Sequence, residues 1–230
     1  MTPRRQCLYE PWELVDRGRL GRLILGDAVT KWYRSQGYYD SGDWRGTWAL
    51  DGGGALMNQG VHYLDLLCWI MGPVDQVTAL CATQTHTIEV EDVALALLRF
   101  RPGAVGLLQA TTAAYPGFSG TVGDLRDRRL GHRRGGRHPV TGAARRKGDV
   151  GAYGGKASPV PPAAATAAAN PGAVADEAHR AQLADFLAAL DSGGQPLVTG
   201  DEARADVAVI RAAYDSARSG RPVAPEERPG

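Results

Sequence analysis

The residues with the clearest chemical spacing in this 230-residue chain lie at positions 44–71, WRGTWALDGGGALMNQGVHYLDLLCWIM. Three consecutive glycines, Gly52, Gly53 and Gly54, let the backbone approach a ligand closely and lead into a helix start. Beyond them Asn58, His62 and Asp65 stand at i, i+4 and i+7, which on an α-helix is one stripe bordering an apolar one. Polar side chains there suit a pocket rim, and they equally suit an ordinary helix boundary satisfied locally. A metal centre is the weaker alternative. Asn is a poor transition-metal ligand, and no second His or Cys has ligand spacing. The segment GAYGGKAS at 151–158 imitates a phosphate loop, but Val150 stands where its first glycine belongs and Ala157 where Ser or Thr must touch magnesium.

Those residues need elements to hold them. Positions 10–19 read as a short helix that Gly21 ends, and 23–34 as a strand running into a polar, aromatic-rich loop through Asp51. Positions 55–71 have helical period, with Met57, Val61, Leu64, Cys68 and Met71 on one stripe. Strands are expected at 77–83, 93–100 and 104–112, the last two joined as a hairpin by the Arg101-Pro102-Gly103 turn. An amphipathic helix follows at 176–190, carrying Leu183, Phe186, Leu187 and Leu190 on one face. Thr199 with Glu202 signals a capping box for a last helix through Val207, Ile210 and Tyr214, closed by Gly220. This order of helices and strands, without repeated strand–helix–strand units, predicts an α+β fold.

Composition excludes several classes. Lys and Arg number 26 against 25 Asp and Glu, a net charge of +1 that gives no global field for nucleic acid or an anionic membrane. Cys7, Cys68 and Cys81 cannot all pair and lack metal spacing, which predicts a reducing, cytoplasmic setting. No apolar run approaches membrane-spanning length, and no secretion signal opens the chain.

One stretch departs from the rest. Residues 122–149 hold eight arginines and two of the five histidines with almost no apolar periodicity, and a Pro/Ala-rich linker follows at 158–174. A basic nucleic-acid loop, a solvated insertion and an out-of-frame segment are the three readings. Stacking aromatics are missing from the stretch, against the first. A one-base shift permits codons for an alternating strand–turn–strand there, which favours the third. Residues 1–121 and 150–230 then form one α+β domain around an irregular insert.

The motif G-G-G-x-L-x-(D/N)-x-G-x-H-x-x-D is met by Gly52, Gly53, Gly54, Leu56, Asn58, Gly60, His62 and Asp65. With KWYRSQGYYDSGDWRGTW upstream, the chain resembles the glucose-fructose oxidoreductase, inositol dehydrogenase and rhizopine-catabolism (Gfo/Idh/MocA) family, specifically its second domain. The resemblance implies a large, mostly antiparallel sheet with helices on one face. It implies an NAD- or NADP-dependent oxidoreductase acting on a sugar, polyol or sugar nucleotide, assembled as a homo-oligomer through the sheet face. His62 would move the hydroxyl proton. Asn58, where many members have Asp, would position that hydroxyl, and Asp65 would orient the imidazole or bond within its helix. Lys31, Arg34, Tyr38 and Tyr39 would hold sugar hydroxyls or a phosphate, and Trp44 and Arg45 would lie toward the cofactor end. Loop packing or solvated charge is the plainer role for these six.

The sequence departs from the family in lacking a G-x-G-x-x-G after a strand and the Glu-Lys-Pro segment with its lysine. The expectation is therefore a truncated substrate domain, inactive alone, binding no NAD or NADP by itself and leaving part of the last helix's apolar surface bare. A non-catalytic oligomerisation module, or a pseudogene product, is the alternative.

Overall fold

The computed structural model describes residues 22–118, 120–126 and 177–226. The expected helix at 10–19, the linker and most of the arginine-rich stretch lie outside the described residues.

Five strands form one mixed sheet: β1 (Leu23–Lys31), β2 (Val74–Ala82), β3 (Val93–Phe100), β4 (Val105–Thr111) and β5 (Thr121–Arg126), in the order β2-β3-β4-β1-β5. The β3–β4 pair is the expected hairpin, with Gly103 at φ +91° accepting the turn. β2–β3 and β1–β5 are also antiparallel, and only β1 and β4 run parallel. β5 carries regular structure into the first residues of the stretch expected to be irregular. The free edge of β1 supplies the pairing partners, from Val29 opposite Thr121 to Leu23 opposite Arg126, and backbone pairing does not require apolar alternation.

Four helices are described: α1 (Gln36–Tyr39), α2 (Val61–Met71), α3 (Glu177–Ser192) and α4 (Gly200–Ser219). α2 lies against β1 and β5, and α4 against β2 and α2. Their shared face is the core, built from Leu64, Leu67 and Met71 of α2, Ile210 and Tyr214 of α4, and Val77, Leu98, Phe100 and Leu108 of the sheet. α4 begins at the predicted capping box, in which Thr199 Oγ1 accepts from Glu202 N and Glu202 Oε2 from Thr199 N, and it ends at Gly220 in the left-handed region.

Two expectations need correction. The helix predicted from residue 55 opens as a π-turn, Leu56–Gly60, before α2 begins. That wider turn rotates the residues ahead of Gly60 relative to those after it. Leu56, Leu64, Leu67 and Met71 are fully buried, while Met57, Val61 and Cys68 are only half-buried. The second concerns bare apolar surface, expected on part of the last helix. There Val207 is exposed as expected, while Ile210 and Tyr214 are buried where α4 packs on the sheet. Among the described residues the larger bare surface is on α3, whose Leu183, Phe186, Leu187 and Leu190 are all at least half exposed.

Candidate functional site

The site is assembled by three connections that converge on the start of β3. The first is the glycine turn. Gly52 has φ +75°, a conformation that glycine adopts without strain. Gly54 approaches the main chain of residue 91 so closely that a Cβ would collide with the Glu91 carbonyl. The turn's close approach is thus to protein. Gly54 N and Leu56 N donate to the two oxygens of the Glu91 carboxylate (3.0 and 2.8 Å), and Ala55 N donates to Glu91 O (2.9 Å). Tyr214 Oη of α4 donates to Glu91 Oε1 (3.0 Å). Burial pushes the Glu91 carboxyl above its ordinary value, and the bonds from Leu56, Tyr214 and Gly54 offset this only in part. Burial and the neighbouring carboxylate also raise the Tyr214 phenol, which stays a donor.

The second connection fixes the polar stripe. Asn58 Nδ2 donates to Asp51 Oδ1 (2.9 Å) and to Gly53 O (3.1 Å), and Asp51 Oδ2 accepts from Gly46 N (2.8 Å). The amide is spent on binding the glycine turn to the 42–46 turn. His62 is exposed on the first turn of α2, and Asp65 is half-buried on the next.

The third connection holds the loop after β1. Lys31 ends that strand, exposed. Arg34 is only 3% exposed, with Nη1 donating to Tyr33 O (2.8 Å) and its guanidinium 5.3 Å from the Trp32 ring and 5.4 Å from the Tyr38 ring. Tyr39 is buried, sharing a 2.8 Å hydrogen bond with Thr112 Oγ1, and burial pushes its phenol up to about 12. His86 Nε2 donates to Arg34 O (2.8 Å), and its Nδ1 lies 2.8 Å from Asp92 Oδ2. Asp92 also accepts from the main-chain N–H of Gln84, Thr85 and His86 (2.8, 2.9 and 3.0 Å). Burial alone would raise its carboxyl, but these four donors outweigh that and hold it below its ordinary value.

Of the residues singled out in the sequence, the structure brings Arg34, Tyr38, Tyr39, Trp44 and Arg45 into one cluster. The Arg45 guanidinium lies 4.3 Å from both the Trp44 and Tyr38 ring centroids, and Tyr38 meets Tyr39 edge-on at 5.1 Å. Arg45 Nε is buried without a hydrogen-bond partner, and no ion pair among the described residues engages this side chain. Beside it opens a depression of about 280 Å³ with a polar lining that includes Asp40, Asp43, Thr47, Thr87 and Glu89. Asn58 joins this region through Asp51 and Gly46.

Sequence reasoning missed Glu91, Asp92, His86, Tyr214 and Asp51. Two adjacent carboxylates opening the apolar strand VALALLRF were the available signal, since buried acids at a strand start demand dedicated donors. A dinucleotide does not fit what is described here. The amides of the glycine turn that could meet a pyrophosphate already serve Glu91, and no phosphate-binding turn follows a strand elsewhere among the described residues.

Residues 12–143, more than half of the chain, match the model of the GFO/IDH/MocA C-terminal domain. No curated protein matches the sequence. Among solved structures, the WlbA dehydrogenase from Bordetella pertussis, in complex with NADH and UDP-GlcNAcA, is similar with TM-score 0.73 at 28% identity. The match covers 99% of this chain and 62% of that one. The WlbA dehydrogenase from Chromobacterium violaceum, with the same two ligands, gives TM-score 0.71 at 27% identity over 96% of this chain and 60% of its own. GenD2 from gentamicin A biosynthesis, in complex with NAD, shares the fold with TM-score 0.67 at 24% identity over 96% and 60%. The chain thus spans about three-fifths of the length of these relatives.

Proposed function

The chain belongs to the GFO/IDH/MocA oxidoreductase family through its C-terminal domain, and from that premise we propose that it forms the substrate side of an NAD- or NADP-dependent dehydrogenase acting on a sugar or sugar nucleotide. Arg45 carries this reading. Its charge stacks on two aromatic rings and makes no ion pair among the described residues, at the edge of a polar depression that Asp40, Asp43 and Glu89 also line. A fixed guanidinium of that kind suits a phosphate or carboxylate, and the polar lining suits sugar hydroxyls. That the WlbA relatives hold UDP-GlcNAcA, an anionic sugar nucleotide, supports the same class.

In this reading His62, exposed on α2, takes or returns the proton of the reacting hydroxyl. Lys31 and Tyr38 contact the substrate directly. Arg34 and Tyr39, being buried, shape the loop from beneath, and Trp44 holds Arg45 in place. Asn58 acts through the glycine turn, and Asp65 supports α2. The nicotinamide coenzyme supplies the hydride acceptor when bound, and a nucleotide-binding domain outside these 230 residues holds it. The chain by itself then neither binds coenzyme tightly nor turns over.

Isothermal calorimetry with UDP-GlcNAcA tests the proposal. We expect binding that Arg45→Ala weakens by about tenfold, the worth of one charge-assisted contact. Undiminished affinity in that variant would remove the anion site from the reading, and tight NADH binding by this chain alone would overturn the missing-domain part.

Assembly is a second role that a specific observation favours. The sheet face opposite α2 and α4 exposes Leu80, Leu95, Leu97 and Val105, the last two lining an open depression of about 340 Å³. An apolar face of that kind marks a contact surface, and we place a second copy of the chain there. This surface is also what the non-catalytic module reading rests on.

A further inference from the structure

Glu91 and Asp92 are neighbours in sequence, and both are buried. Burying two carboxylates is costly unless each is fully supplied with donors. Here the donors come from two different parts of the site. Glu91 takes Gly54 N, Leu56 N and Tyr214 Oη, so it grips the glycine turn from which the helix of Asn58 and His62 departs. Asp92 takes the Gln84–His86 amides and the His86 ring, whose other nitrogen grips the Arg34 carbonyl. The same loop is tied again through Thr112, which accepts from Arg34 N (2.8 Å) and donates its own N–H to Asp92 O (3.0 Å).

We propose that the Glu91–Asp92 dipeptide is the positioning element of the site: Glu91 seats the half bearing His62, and Asp92, through His86, seats the half bearing Arg34, Tyr38 and Tyr39. The proposal rests on the reading of those halves as a substrate site. Asp92 stands at a bend immediately ahead of β3, and the donors of the two carboxylates come from different segments, so two consecutive residues reach both halves across one peptide bond. The spacing of the proton-transfer helix from the substrate loop is then fixed just ahead of β3.

The two carboxylates also oppose each other in pH response. Tyr214 and Cys81 face Glu91, and His86 and Tyr39 face Asp92. Glu91 binds its proton more tightly in the fold than in the unfolded chain, so its contribution is fullest at acid pH and declines as pH rises through its raised midpoint. Asp92 contributes fully above the ordinary carboxylate range and loses that contribution as pH falls through its lowered midpoint. The stability cost of Asp92→Asn should therefore shrink on acidification, and that of Glu91→Gln should grow.

The test uses the full chain with Glu91→Gln, Asp92→Asn and, because Asp92→Asn could fail to fold, His86→Phe, which keeps a ring against Tyr39. Amide exchange and the His62 ring resonances are followed by NMR, and UDP-GlcNAcA affinity by calorimetry. Glu91→Gln is expected to speed exchange at Gly54 and Leu56 about tenfold and to move the His62 resonances, leaving residues 84–86 protected. Asp92→Asn and His86→Phe are expected to leave His62 unmoved and to weaken UDP-GlcNAcA about tenfold. Exchange rising equally at both loops in any variant, or His62 moving equally in all, overturns the proposal. If the unaltered chain does not bind UDP-GlcNAcA, the substrate reading fails, and the exchange and His62 pattern alone still upholds or overturns the positioning.

Discussion

Leu97 and Leu98 are adjacent in β3, yet Leu98 is 3% exposed and Leu97 is 62% exposed. The same contrast runs along the sheet. Ala94, Ala96, Leu98 and Phe100 point into the core beneath α2 and α4, while Leu80, Leu95, Leu97 and Val105 occupy the open face. Period-two alternation separates the two faces but does not say which is inside, because VALALLRF is apolar on both. What decides is which face the helices cover. The teaching is that apolar character on a strand is evidence of contact, and the contact can be with the chain's own core or with another molecule.

Substitutions on the two faces separate those cases. The largest effect is expected for Leu98→Ala, which should lower stability by about 2–5 kcal/mol in urea denaturation because the closed core cannot refill the space. Ile210→Ala removes a covering side chain from α4 and should fall in the lower half of that range. Thr199→Ala deletes the cap that anchors α4 and should cost about 1 kcal/mol. The smallest effect is expected at Leu97: Leu97→Lys should change monomer stability by no more than about 0.5 kcal/mol. In sedimentation the same variant should abolish self-association through the open face. A Leu97→Lys chain as unstable as Leu98→Ala would mean that the two faces do not differ as described.

The two long helices extend the comparison. Both α3 and α4 are legible as amphipathic helices, and the capping box of α4 is read directly from Thr199 and Glu202. Yet Ile210 and Tyr214 are buried while Phe186 and Leu187 stand in solvent. Periodicity reports that a helix has an apolar side and is silent on whether anything covers it.

The candidate site divides in the same way. The resemblance implies His62, Arg34, Tyr38 and Arg45 as site residues, and the cluster of Arg34, Tyr38, Tyr39, Trp44 and Arg45 is confined to twelve residues of chain. Glu91 escaped because its donors lie 35 and 37 positions upstream and 123 downstream. The Asp92 carboxylate reaches the Arg34 loop through His86, which is 52 positions from Arg34. Within the glycine run the close backbone approach of Gly54 is to Glu91, a partner 37 positions away, while Gly52 faces open space.

The sequence by itself determined the local matters: the strands at β3 and β4, the turn between them, the ends of α4 and the motif containing His62. Each depends on backbone propensities and on partners a few residues away. Tertiary structure alone decided which sheet face is core, the partners that take up the Asn58 amide, and the donors that fill two buried carboxylates. Those outcomes are set by contacts between distant segments, whose energies exist only once the chain has closed on itself.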